Sequence, residues 1–79
     1  MNNNQRLYAS FATALNLSPE DINDDLAYNS IPQWDSVAHM GLIAQLEQEF
    51  GVMLDTDDII DMSSLAKARE ILARHDVAF

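Results

Sequence analysis

Residues 34–52 read WDSVAHMGLIAQLEQEFGV, and the fold follows from this stretch. Asp35 is a residue type whose carboxylate accepts hydrogen bonds from the free amides at a helix start. The run after it has helical spacing. At about 100° per residue, His39, Leu42, Ile43, Leu46 and Phe50 share one broad face. Gly51 ends the pattern, as a residue suited to positive φ does just beyond a helix. A helix from Ser36 to Phe50 is therefore predicted, with the Leu42–Leu46 face packed on a neighbouring helix. Val37, Met40, Gly41, Ala44 and Gln48 point another way and are expected nearer the surface.

Ser36 falls in the first turn of this helix. Its hydroxyl is expected to be exposed, and the unpaired amides and positive dipole end beside it favour a phosphate group. Asp35 sets a carboxylate next to it, within reach of a basic group on an incoming enzyme. His39, one turn later, is read as a partly buried helix residue in preference to an acid–base group. Trp34 carries so much apolar area that it is read as a loop anchor in the core in preference to a partner contact.

Upstream, Asn16 to Trp34 is a long connection, and a loop this long in a small domain is usually functional. Ser18-Pro19-Glu20-Asp21 suits a short helical turn capped by Ser18. Leu17, Ile22, Leu26 and Ile31 are spaced to pin the loop onto a core. Before it, Leu7, Phe11 and Leu15 make one stripe of a helix from about Asn4, with Asn2, Asn3 and Asn4 as candidate caps. Downstream, residues 55–61 read as a brief acidic turn or third helix. Ser63 or Ser64 caps a last helix with Leu65, Ala68, Ile71 and Leu72 on its inner face. The final residues are expected to fray.

The expected architecture is all-α: a small four-helix bundle, three main helices plus one short helix, with a long first loop. The 79 residues make a single domain. A domain this small buries only about 60% of its unfolded surface, which leaves little room for a deep enzyme pocket. Thirteen acidic residues against four Lys plus Arg give a formal charge of −9. Such a chain repels nucleic acid and anionic membranes, and its natural partners carry basic patches. Added salt is expected to raise its melting temperature by screening that self-repulsion, and a flat or falling profile would contradict this.

The chain has no cysteine, which excludes disulfides and thiolate metal sites and fits a cytoplasmic setting. Any thioester chemistry needs a sulfur from elsewhere. No signal peptide and no membrane span is read: Met1 to Gln5 is polar, and no apolar run approaches roughly 20 residues. An EF-hand loop from Asp55 would need Gly sixth and Glu twelfth, where Ile60 and Ala66 stand, so no metal site is expected.

Asp35-Ser36-Val37, with the following Leu46-Glu47-Gln48-Glu49-Phe50-Gly51 run, resembles the acyl carrier protein family, whose attachment motif is Asp-Ser-Leu at the start of the second helix. The resemblance runs from the first helix to Leu72. It implies that a phosphopantetheinyl transferase moves a 4'-phosphopantetheine arm from coenzyme A onto Ser36, and that the arm's thiol holds an acyl group as a thioester. It implies a carrier, not an enzyme: a monomer that presents its cargo to acyl-loading and acyl-transferring enzymes of fatty-acid, polyketide or related biosynthesis.

The chain departs from the pattern. Val37 replaces the usual leucine, and Ala38, Gly41 and Gln48 are neutral where acids are common; Glu47 and Glu49 remain. Acid is concentrated instead in Asp55, Asp57, Asp58 and Asp61. These departures suggest a dedicated set of partners that read an apolar strip of Val37, Met40 and Ala44 flanked by acid. Asp35, Glu47, Asp57 and Asp58 complete the expected partner contacts. Two alternatives stay open: an aminoacyl or peptidyl carrier of a nonribosomal system, and a helical interaction module that bears no arm.

Overall fold

The computed structural model describes residues 2–79. Its order is α1 (Asn3–Leu15), a 3-10 turn (Pro19–Asp21), α2 (Ser36–Phe50), α3 (Thr56–Asp61) and α4 (Leu65–Arg74). The fold is the expected all-helical bundle, and the long first loop joins α1 to α2.

Each helix starts on a side-chain cap. Asn2 accepts from the Gln5 amide at 2.8 Å while the Gln5 side chain accepts from the Asn2 amide at 3.0 Å. Asp35 caps α2 through the Ala38 amide at 2.9 Å, and Asp55 caps α3 through the Asp58 amide at 2.8 Å. Of the two candidate serines before α4, Ser64 is the cap, accepting from the Lys67 amide at 3.0 Å. Ser18 departs from the expectation: it precedes the 3-10 turn, but its side chain makes no capping bond. Gly51 ends α2 at φ 64°, a left-handed conformation that glycine adopts without a Cβ penalty.

α2 packs on α1, and Leu42, Ile43 and Leu46 are the buried part of its apolar face. Leu7, Phe11 and Leu15 of α1 and Leu65, Ala68, Ile71 and Leu72 of α4 join the same core. Ile22 and Leu26 pin the first loop as the spacing predicts, with Leu17 and Ile31 half-buried beside them. Backbone bonds finish the fastening. The Tyr28 amide donates to the Ser63 carbonyl, and the Leu65 amide donates to the Leu26 carbonyl, each at 2.9 Å. The loop before α2 is thereby stapled to the turn between α3 and α4.

The chain end meets the start of α1 and the end of α2. The Asn3 side chain donates to the Ala78 carbonyl at 2.8 Å, and Phe79 tilts onto Phe50 with ring centroids 6.2 Å apart. Arg6 lies 4.8 Å over the Phe50 ring and pairs with the Glu49 carboxylate at 2.8 Å.

Two carboxylates tie elements together. Asp24 of the first loop accepts from Arg69 of α4 at 2.9 Å and from the Tyr8 hydroxyl of α1 at 2.8 Å. Asp58 of α3 meets His75 at 2.8 Å and Arg74 at 3.7 Å. The hydrogen bond from Arg69, then that from Tyr8, holds the Asp24 carboxyl below its ordinary range. His75 does the same for Asp58. The folded protein therefore binds these protons less readily than the unfolded chain. Both contacts stabilise fully above the ordinary carboxylate pKa, near ~4, and are lost as pH falls through the lower folded values. The melting temperature should drop on acidification through that window, and Asp58→Asn should flatten part of the drop. Equal slopes for both proteins would contradict the assignment.

Candidate functional site at the start of the second helix

Ser36 is the first residue of a 15-residue helix and is exposed. The other serines are placed differently. Ser10 is buried with its hydroxyl donating to the Arg6 carbonyl, Ser30 is bound to Ala27, and Ser64 is a cap. Ser18 and Ser63 are exposed but stand before a three-residue turn and inside a turn. Among the described residues, only at Ser36 does an exposed residue with a hydroxyl meet the open amides and positive dipole end of a long helix. Asp35 is also exposed, and its Oδ1 accepts the capping bond from the Ala38 amide.

What holds Ser36 there is Trp34. Its side chain is 0% exposed, with ring centroids 5.4 Å from Phe11, edge to face. It is a core anchor, as its apolar area predicts. The indole N–H donates to His39 Nδ1 at 3.0 Å. An indole nitrogen only donates, so Nδ1 is the bare nitrogen of the ring. The other nitrogen, Nε2, then carries the proton and donates to the Ile59 carbonyl of α3 at 2.9 Å. His39 is half-buried and stacked against Trp34, and Tyr28 closes over both at 5.3 Å from His39 and 6.2 Å from Trp34. One neutral imidazole thus joins the loop, α2 and α3. Breaking it leaves a partly buried donor or acceptor unpaired, at a cost of ~1–3 kcal/mol.

Around Ser36, the predicted strip is exposed. Val37 is 81% and Met40 57% accessible, and Ala44 is open as well. Ile60 of α3, 72% accessible, extends the same kind of surface and was not foreseen. An isoleucine pair inside an acidic turn was the available signal: Ile59 faces in and Ile60 faces out. Asp57 is exposed.

Asp58 and Glu47, expected among the partner contacts, both make bonds within the chain. Asp58 is 13% exposed, held by His75, Arg74 and the Asp55 amide. Glu47 is half-buried and accepts from the Leu54 amide at 2.9 Å, tying the α2–α3 link to α2. Asp61, also in α3, is exposed. His75, which sequence reasoning left without a role, is the partner of Asp58. Among the described residues, no three His, Asp or Glu side chains are grouped to hold a metal ion, and no helix is long and apolar enough to cross a membrane.

The sequence model of the family described as phosphopantetheine attachment site matches residues 5–72. The chain belongs to the phosphopantetheine-attachment family. The match runs from α1 through most of α4 and contains the start of α2. No curated protein sequence matches the chain at a significant level. The cofactor of a phosphopantetheine-attachment domain is 4'-phosphopantetheine, held covalently. The residues at the start of α2 fit such a group. An exposed hydroxyl can form the phosphodiester, and the open helix amides favour its negative charge.

Proposed function

We propose that this chain is an acyl carrier, holding acyl groups as thioesters on a phosphopantetheine arm attached to Ser36 and presenting them to biosynthetic enzymes of fatty-acid, polyketide or related type. The observation that supports it most is the exposed Ser36 hydroxyl at the start of α2, inside the span matched by the family. In the loading step Ser36 Oγ attacks the phosphate of coenzyme A that bears the pantetheine. The new Oγ–P bond replaces the bond to the nucleotide phosphate, which leaves, and the hydroxyl proton passes to the transferase. When bound, the arm supplies the thiol that this cysteine-free chain lacks.

The chain's own part is to hold and present. Asp35 and Trp34 fix the start of α2, so the arm leaves from a rigid point. Val37, Met40, Ala44 and Ile60 offer apolar contact, and Asp35, Asp57 and Asp61 offer charge to basic partners. Catalytic acids, bases and oxyanion donors come from those partners. The chain works as a monomer in the cytoplasm.

Incubation with coenzyme A and a broad-specificity phosphopantetheinyl transferase tests the reading. The intact mass should rise by one phosphopantetheinyl group, with fragmentation mapping it to Ser36. An unchanged mass would favour a helical interaction module, and an arm on another serine would move the site.

A further inference from the structure

The first loop folds around a groove of about 510 Å³. That lies within the roughly 300–1,000 Å³ of pockets that take a ligand. Leu17, Leu26 and Ile31 give it apolar walls, and the exposed Asp21, Asp25 and Gln33 add acceptors. The three apolar residues also pack on the core, so the walls stand ready before anything binds. Asp24, between the two acids in the chain, is taken up by Arg69 and Tyr8. The chain's four Arg and Lys side chains pair with Glu49, Glu70, Asp24 and Asp58. Among the described residues, no cation is therefore left for Asp21 and Asp25. Gln33 stands three positions before Ser36, which puts their backbones within about 11 Å of each other. Whatever fills the groove sits close to the point of arm attachment.

We propose that this groove receives an arginine of the enzymes that act at Ser36, the phosphopantetheinyl transferase among them. Carboxylates beside an apolar wall suit a side chain with an apolar stem and a cationic tip. The methylene stem lies against Leu17 and Ile31, and the guanidinium donates to Asp21 and Asp25. Arginine fits better than lysine, because its planar fork has five donors and holds its water more weakly than an ammonium does. The groove is a second contact, on the loop side of Ser36, apart from the exposed strip of α2. The identity of the partner rests on the carrier reading above; the groove and its charge do not.

The test titrates the full chain with a blocked Leu-Arg-Leu peptide, followed by amide NMR. Shifts should saturate at residues 17–33 and stay small at the acidic residues 55–61. The same peptide with citrulline for arginine keeps the shape and loses the charge. It should bind roughly fivefold more weakly, and so should the arginine peptide to the Asp21→Asn, Asp25→Asn double variant, the size of effect expected of two exposed ion pairs. Both substitutions are at exposed positions, so the melting temperature should not fall. Arm transfer from coenzyme A gives a second readout. In the double variant KM should rise roughly fivefold while kcat holds, and high salt should erase the difference. Shifts spread evenly over every acidic segment, equal binding of the citrulline peptide, or an unchanged KM in the double variant would each overturn the proposal. Failure of the carrier reading is seen separately, as a mass that never rises in the unaltered protein. The groove then loses its enzyme partner, and the peptide titration still decides whether it takes an arginine.

Discussion

Trp34→Ala is expected to lose most of the stability of this protein. The side chain is fully buried and is the largest in the core. Truncating a buried Trp costs ~3–5 kcal/mol, because the transfer free energy is lost and the cavity left behind collapses only in part. A folded chain of 79 residues has about 4–12 kcal/mol in total. The variant also removes the donor to His39 Nδ1 and frees the loop that leads into Ser36. Urea titration followed by circular dichroism would read the loss, with a transition starting in the first additions of denaturant or no transition at all. Trp34→Phe keeps most of the bulk but loses the indole N–H and part of the ring area, so it should fall between the unaltered protein and Trp34→Ala. A Trp34→Ala loss below about 1 kcal/mol would mean that the ring is not a core element.

Ser36→Ala should do the opposite: leave the fold intact and abolish arm attachment completely. The side chain is exposed, the helix is capped by Asp35, and alanine is the better helix former. The stability change should therefore stay within about ±0.5 kcal/mol. Mass after transferase treatment should equal the mass before it. Asp35→Ala separates the two properties from the other side. It should cost ~1 kcal/mol through the lost cap while keeping the hydroxyl that accepts the arm. Residual arm transfer to Ser36→Ala would place the attachment on another serine.

These predictions have a common structural source. The buried indole and the exposed hydroxyl stand two residues apart, one fixed by the core and one by the helix start. The loop before them is long, yet it is held at Ile22, at Leu26 and by the backbone pair joining Leu26 and Tyr28 to Leu65 and Ser63. Ser36 is thus presented from a fixed frame although a long irregular segment precedes it.

Much of this was legible in the residues because it is local. Asp35 before Ser36, Gly51 after Phe50 and the Leu42–Leu46 spacing specify a capped helix without reference to the rest of the chain. The exposure of Ser36 and of the Val37–Met40 strip follows from the same periodicity. So does the inner face of α4. The internal bonds of Asp58 and Glu47 were not legible, because a carboxylate's direction depends on what lies opposite it. Asp58 faces the end of α4, seventeen residues on at His75, and Glu47 faces the link that follows its own helix. The contact of Asn3 with Ala78 was not legible for the same reason, since only folding brings the two together.

The sequence by itself determined the main helices, the Asp35 cap and the exposed serine, since each depends on residues within a few positions of one another. The tertiary structure alone decided which acids remain free for partners, and which tautomer His39 holds. It also decided that α3 is latched to α2 beside Ser36. The physical reason is distance along the chain: Trp34, His39 and Ile59 meet only once the loop and two helices have packed, and no local pattern encodes a meeting of that kind.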